Sequence, residues 1–213
     1  MTFKVLKRLA AALLLVGGLN SCYLPDDYLA EIRLNWSGGY GLIYKGILTW
    51  VPLYADIIDG KLSAAEASEK VAQIRDDLAR DSHFKSIESL GRGQFRVYYE
   101  REGILGPSEQ VSFVRRNALI LSLISKEDGT LEVRANTIPA ERLSDLDRLD
   151  LSTIGRFRVT TNAQVIKHNA PVAGPYPQGY PGFYVFDWHL TGNPALMDSP
   201  KLTAVRRPAK GLP

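Results

Sequence analysis

Two Asp-x-His pairs are the residues whose types and spacing could do chemistry, Asp81 with His83 and Asp187 with His189; His168 is the third histidine. On an extended chain, residues two apart project from one side. A carboxylate beside an imidazole can orient it for general-base work, or the two can supply metal ligands. Around the second pair Phe186, Trp188 and Leu190 alternate with Asp187 and His189, so a strand with an aromatic core face and a polar solvent face accounts for the pattern equally well. Glu88, Glu100 and Glu102 could form a carboxylate pair for glycoside hydrolysis, but Glu100 and Glu102 beside Arg101 read as an ordinary hairpin end. The sequence has no Gly-x-Ser-x-Gly elbow, no Ser-x-x-Lys with its partner motifs and no His-Glu-x-x-His helix. Gly106-Pro107-Ser108 reads as a turn, and Gly91-Arg92-Gly93 lacks the strand-to-helix context of a nucleotide loop. No catalytic residue, metal ligand or cofactor is assigned.

The sole cysteine, Cys22, excludes an intramolecular disulfide framework and any multi-cysteine metal site. It follows a basic start (Lys4, Lys7, Arg8), an apolar run at 9–16 and a short polar end, the layout of a signal peptide over 1–21. That run is far shorter than the roughly 20 residues of a permanent membrane helix. Leu19-Asn20-Ser21-Cys22 resembles the lipobox of bacterial lipoproteins. The resemblance implies cleavage between Ser21 and Cys22, a diacylglyceryl group on the Cys22 thiol and an acylated new amino terminus. Asn20 departs from the Ala, Ser or Thr usual at its place. Ordinary cleavage after Gly18, with Cys22 left as a stray thiol, is the alternative. In Gram-negative lipoproteins Asp after the cysteine favours inner-membrane retention. Tyr23 stands here, which implies the outer membrane, facing the periplasm; a Gram-positive host remains open.

The formal charge of +3, from 26 Lys+Arg against 23 Asp+Glu, equals the contribution of Lys4, Lys7 and Arg8, so the chain from Cys22 onward is formally neutral. A nucleic-acid binder needs a basic surface, so that class is set aside. Asn35-Trp36-Ser37 fits a glycosylation sequon that a bacterial lipoprotein gives no meaning. Among the aromatics, Tyr98 and Trp50 read as core. Tyr176 and Tyr180, in the Pro/Gly loop at 170–182, are candidate partner-binding residues, since tyrosine anchors interfaces.

The elements that must position these residues are mostly strands. β-branched and aromatic enrichment predicts strands at 29–36, 41–51, 84–90, 93–102, 109–115, 119–125, 130–136, 155–161, 163–168 and 183–190, with an Asp128-Gly129 hairpin turn. Ser63-Ala64-Ala65-Glu66 fits a capping box, and Ala67, Val71, Ile74 and Leu78 repeat at helical spacing, predicting an amphipathic helix over 63–80. Pro139 can open a shorter helix to about Leu149, burying Leu143, Leu146 and Leu149. Runs of strands with two helices packed on them imply an α+β fold with a mainly antiparallel sheet. The expected organisation is a signal peptide at 1–21, one domain at 22–191, and a Pro-rich basic tail at 192–213 that is disordered.

Three segments of the last third, Arg158 to Ala163, Val165 to Ala170 and Tyr184 to Trp188, resemble the β-rich domain of LppM-like bacterial lipoproteins, in which a strand ends in Asn and a turn, and the next strand carries a Trp. The chain departs from that pattern in its helical insertion near 63–80 and in having no C-terminal membrane helix. The resemblance implies a membrane-tethered domain with ligand or lipid binding as its candidate role and no established catalysis. The primary expectation is therefore a lipid-anchored envelope lipoprotein, held to the membrane through Cys22, whose domain binds an envelope protein or a lipid without catalysis. An envelope hydrolase using an Asp-His or carboxylate pair and a structural accessory subunit of an outer-membrane assembly are the alternatives.

Overall fold

Ala30, Ile32 and Leu34 are buried and alternate with Glu31 and Arg33, so the first strand, β1 (Tyr23–Leu34), has one core face. The computed structural model describes residues 23–114, 119–136, 138, 143–176, 181–190 and 198–206. After β1 come β2 (Gly39–Trp50), the helices α1 (Val51–Ile58) and α2 (Ala64–Ala79), then β3 (Phe84–Gly91), β4 (Gln94–Ile104), β5 (Gln110–Phe113), β6 (Leu121–Ser125) and β7 (Thr130–Ala135). A short helix α3 (Leu143–Arg148) precedes β8 (Gly155–Thr161), β9 (Gln164–His168), β10 (Val172–Pro175), β11 (Tyr184–Leu190) and β12 (Lys201–Val205). The fold is α+β with mainly antiparallel sheets, as expected.

There are two sheets. The larger has seven strands in the order β10-β11-β8-β1-β2-β4-β3, and the smaller has five in the order β5-β6-β7-β12-β9. Among the described strands β1 and β8 form the one parallel pair; every other pairing is antiparallel. One hydrophobic cluster draws on both sheets, with Leu42, Tyr44, Phe95, Phe157 and Trp188 from the larger and Phe113, Leu123, Val133 and Leu202 from the smaller. Phe113 is the joint: its ring lies 4.6 Å from Tyr44, 4.7 Å from Tyr99 and 6.1 Å from Phe84. A second tie crosses at Trp188, whose Nε1 donates to Asn169 Oδ1 at 3.1 Å.

The helix α2 forms as its capping box dictates. Ser63 Oγ accepts from the Glu66 amide at 3.3 Å and the Ser63 amide donates to Glu66 Oε2 at 2.8 Å. Leu78 is buried, with Val71 and Ile74 packed against the core. In α3, Leu146 is buried and Leu149 just beyond it is too, while Pro139 lies outside the described residues. Three elements differ from expectation, and β1 starts at Tyr23, ahead of the expected 29. The first is β10, which lies inside the segment read as a Pro/Gly loop and pairs with β11. Strand β2 ends at Trp50 and α1 follows, because Pro52 in a first turn has no amide to satisfy and a φ already suited to a helix. The tail expected to be disordered contains β12, which lies between β7 and β9 with Leu202 and Ala204 buried. Its two-residue period, Lys-Leu-Thr-Ala-Val, overrides the Pro-rich and basic composition around it. Beyond it Arg206 packs its guanidinium against the β1–β2 turn, donating to the Leu105 carbonyl. A Cβ at Gly38, which has φ +94°, would lie 2.3 Å from Arg206 Nη2.

Two tests follow from the core. Phe113→Ala should cost about 3–5 kcal/mol in urea unfolding, since it empties the space between the sheets; a loss below about 1 kcal/mol would mean that Phe113 does not join them. A Cβ at Gly155 would sit 2.3 Å from the Tyr28 ring, which stacks on Tyr44 at 5.6 Å, so Gly155→Ala should lower the thermal midpoint while Gly174→Ala, with open space around it, should not.

Candidate functional site

The core face of the larger sheet is closed by the smaller one, so chemistry available to solvent lies on its outer face, at its edges and at its two ends. Asp187 projects outward from β11, opposite the core-facing Phe186, Trp188 and Leu190. The antiparallel register sets Arg158 of β8 opposite Asp187 and Arg156 opposite His189. Both guanidiniums grip the carboxylate: Arg158 Nε and Nη2 donate at 2.9 Å each, Arg156 Nη2 at 2.6 Å and Nε at 3.2 Å. Burial opposes ionisation, but the hydrogen bonds from Arg158 and then Arg156 outweigh it and hold the Asp187 carboxyl at about 2. The carboxylate is thereby spent on structure, and His189 is exposed beside it. Farther across the same face Arg33 pairs with Glu31 at 2.9 Å, Tyr98 donates to Glu100 at 2.8 Å, and Lys45 lies 4.6 Å over the Tyr98 ring.

The other Asp-His pair does assemble. Asp81 and His83 sit in the turn between α2 and β3, with Asp81 Oδ1 2.7 Å from His83 Nδ1 and 3.0 Å from the His83 amide. Burial raises the Asp81 carboxyl and the His83 contacts more than reverse it, for a net lowering. The imidazole faces Tyr99 at 5.8 Å, and Arg101 is within electrostatic reach of Asp81. This pair could orient a proton acceptor. Among the described residues no group of three His, Cys, Asp or Glu is placed to hold a metal ion. Of the carboxylates considered for glycoside hydrolysis, Glu88 is engaged by Arg96 at 3.1 Å and Glu100 by Tyr98, while Glu102 lies farther along β4, opposite Gly41. A polar depression at the β5–β6 edge contains Glu109, Glu127 and Asp128. They accept from Gly106, Ser108 and Thr130 in turn, so their charge holds local turns.

The aromatic residues sort by position. Tyr44 and Tyr99 are core; burial pushes the Tyr99 phenol up to about 12 and the Tyr44 phenol well above its ordinary range. Tyr98 and Trp50, expected in the core, are half-buried instead: Tyr98 lies on the outer face and Trp50 at the end of β2. Tyr176 is half-buried, its amide donates to the Phe183 carbonyl at 2.9 Å, and its phenol is within electrostatic reach of Arg33 and Arg158. Tyr180, Ser21 and Cys22 lie outside the described residues.

Near Tyr176 the larger sheet has an apolar rim, two of whose members, Trp36 and Ile104, the sequence did not single out. Tyr184 is 53% exposed and pairs with Thr161; Trp36, 40% exposed, donates its amide to Asn162 Oδ1 at 2.8 Å; Ile104, 79% exposed, pairs with Gly39. The parallel β1–β8 register brings Leu34 beside Thr161, so all three lie at one end of the sheet. The opposite end carries Tyr23 and Trp50, rings 4.8 Å apart. The available signal for the rim was Trp36 in a turn with Ser37, Gly38 and Gly39, where a large apolar side chain has no strand partner to cover it.

No known protein family matches the sequence, and no curated protein matches it. Among solved structures, the folded domain of LppM from Mycobacterium tuberculosis, determined by NMR, is similar over 88% of this chain and 93% of that one, at 12% sequence identity and a TM-score of 0.37. Among the described residues no helix is long and apolar enough to cross a membrane.

The Asp187 clamp makes a prediction about acid stability. A carboxyl held at about 2 when folded, against about 3.9 unfolded, contributes stability that is complete above about pH 5 and is lost as pH falls through 4 toward 2. Asp187→Asn should therefore destabilise the protein by about 1–3 kcal/mol at pH 7 and flatten its stability profile between pH 4 and 2. Chemical denaturation across that range checks it; an unchanged acid limb would count against the clamp.

Proposed function

We propose that this chain is a cell-envelope lipoprotein, anchored through lipid on Cys22, whose domain binds a protein partner or ligand without catalysis. The observation that carries this reading is the opposition of the two ends of the larger sheet. β1 begins at Tyr23, one residue after the lipobox cysteine, while Trp36, Ile104 and Tyr184 lie exposed at the far end beside Tyr176. An anchor at one end and aromatic surface at the other suit a domain that presents a contact surface away from a bilayer. Cleavage between Ser21 and Cys22, an outer-membrane destination and a periplasm-facing domain extend the same reading, the destination through Tyr23 in place of Asp. Tyr180 joins Tyr176 as a contact residue through its place in the same loop.

The hydrolase alternative keeps support from the Asp81–His83 contact at 2.7 Å, and it would be favoured if His83→Ala alone abolished function. A partner belonging to an outer-membrane assembly would make the chain an accessory subunit.

Two experiments test the proposal. Cys22→Ser should leave an unprocessed precursor or release the protein from the membrane fraction; a normally processed, anchored Cys22→Ser protein would refute the lipid anchor. Copurification after gentle detergent extraction should recover a partner with the wild-type chain. Tyr176→Ala combined with Tyr184→Ala should reduce that recovery at least several-fold with an unchanged thermal midpoint; equal recovery would remove the rim from the account.

A further inference from the structure

The anchor end has its own composition. Tyr23, the first residue of β1, is in register with Trp50, and the Trp50 amide donates to the Gly93 carbonyl at 2.8 Å. That bond brings the β3–β4 turn, with Leu90 just before it, to the same end. The helix α1 leaves Trp50 directly, turns Leu53 and Tyr54 inward and leaves Ile58 44% exposed; Leu90 is 38% exposed. This end therefore shows two half-buried amphipathic rings with two exposed aliphatic side chains, the combination that favours the boundary between headgroups and acyl chains.

Chain length decides what covers it. One peptide unit, about 3.8 Å, separates the Cα of Cys22 from that of Tyr23, and Tyr23 is already in register opposite Trp50 at the start of the sheet, with its ring against the Trp50 ring. A lipid on Cys22 has its glycerol at headgroup depth, so the sheet end cannot stand off by more than about one residue's reach. We propose that the end formed by Tyr23, Trp50, Ile58 and Leu90 is seated in the headgroup layer of the bilayer, and that the domain does not swing on a flexible tether. The inference rests on the lipid-anchor reading of Cys22. It also orients the molecule: the 12 residues of β1, at about 3.3 Å each, hold the opposite rim about 40 Å from the anchor.

The test uses the full chain purified with its lipid, in vesicles of phosphatidylethanolamine and phosphatidylglycerol. Acylation of Cys22 leaves an introduced cysteine as the sole free thiol, because the chain has no other cysteine. Nitroxide labels on Ile58→Cys, Leu90→Cys and Ile104→Cys report collision with oxygen, which concentrates in lipid, and with a nickel chelate, which stays in water. The oxygen-to-nickel collision ratio should be several-fold higher at 58 and 90 than at 104. Equal ratios at the three positions, with no free thiol in the wild-type chain, would overturn the seating and leave the anchor standing. One free thiol in the wild-type chain would overturn the anchor, and the seating with it.

Discussion

Phe113 is the contact on which the rest of the structure depends. It comes from the edge strand of the smaller sheet and lies against Tyr44 and Tyr99 from two adjacent strands of the larger one. Neither sheet could keep its apolar face dry alone: Leu42, Phe95 and Val97 need a cover, as do Leu123, Val133 and Leu202. Once the faces are joined, polar groups are left the outer face, the edges and the ends. The double guanidinium grip on Asp187 follows from this, since it lies on the face that packing does not use.

The parallel pairing of β1 with β8 has a comparable effect on function. It joins the first described strand to one more than a hundred residues later, and the antiparallel pairing of β8 with β11 continues the sheet to the strand after the Tyr176 loop. The apolar rim exists only because these long-range pairings align Trp36, Ile104 and Tyr184 at the end opposite Tyr23. On the outer face Arg33 pairs with Glu31, while Arg156 and Arg158 share the one carboxylate of Asp187 and so keep a net positive charge there.

Local rules were legible in the sequence and long-range ones were not. The capping box at Ser63 and the spacing of Val71, Ile74 and Leu78 produced α2 as read, because those contacts lie within one helix and its first turn. The alternation in Tyr184–Leu190 correctly separated Trp188 from Asp187. The fate of Asp187 needed Arg156 and Arg158, some thirty residues away, and no local pattern links them. β12 was hidden by its Pro-rich and basic surroundings, and α1 by the extension of the preceding strand pattern through Val51. Trp50 and Tyr98 misled for a related reason: β propensity identifies a strand residue but not which face or end of the sheet it occupies.

Both the opposition of the two ends and the proposed seating of the domain take their meaning from a lipid anchor at Cys22. Intact-mass spectrometry of the detergent-extracted protein is the most direct measurement. It should find a mature chain beginning at Cys22 whose mass exceeds the polypeptide by a diacylglyceryl group and an amide-linked acyl chain. A mature chain beginning at Leu19, with an unmodified thiol on Cys22, would contradict it.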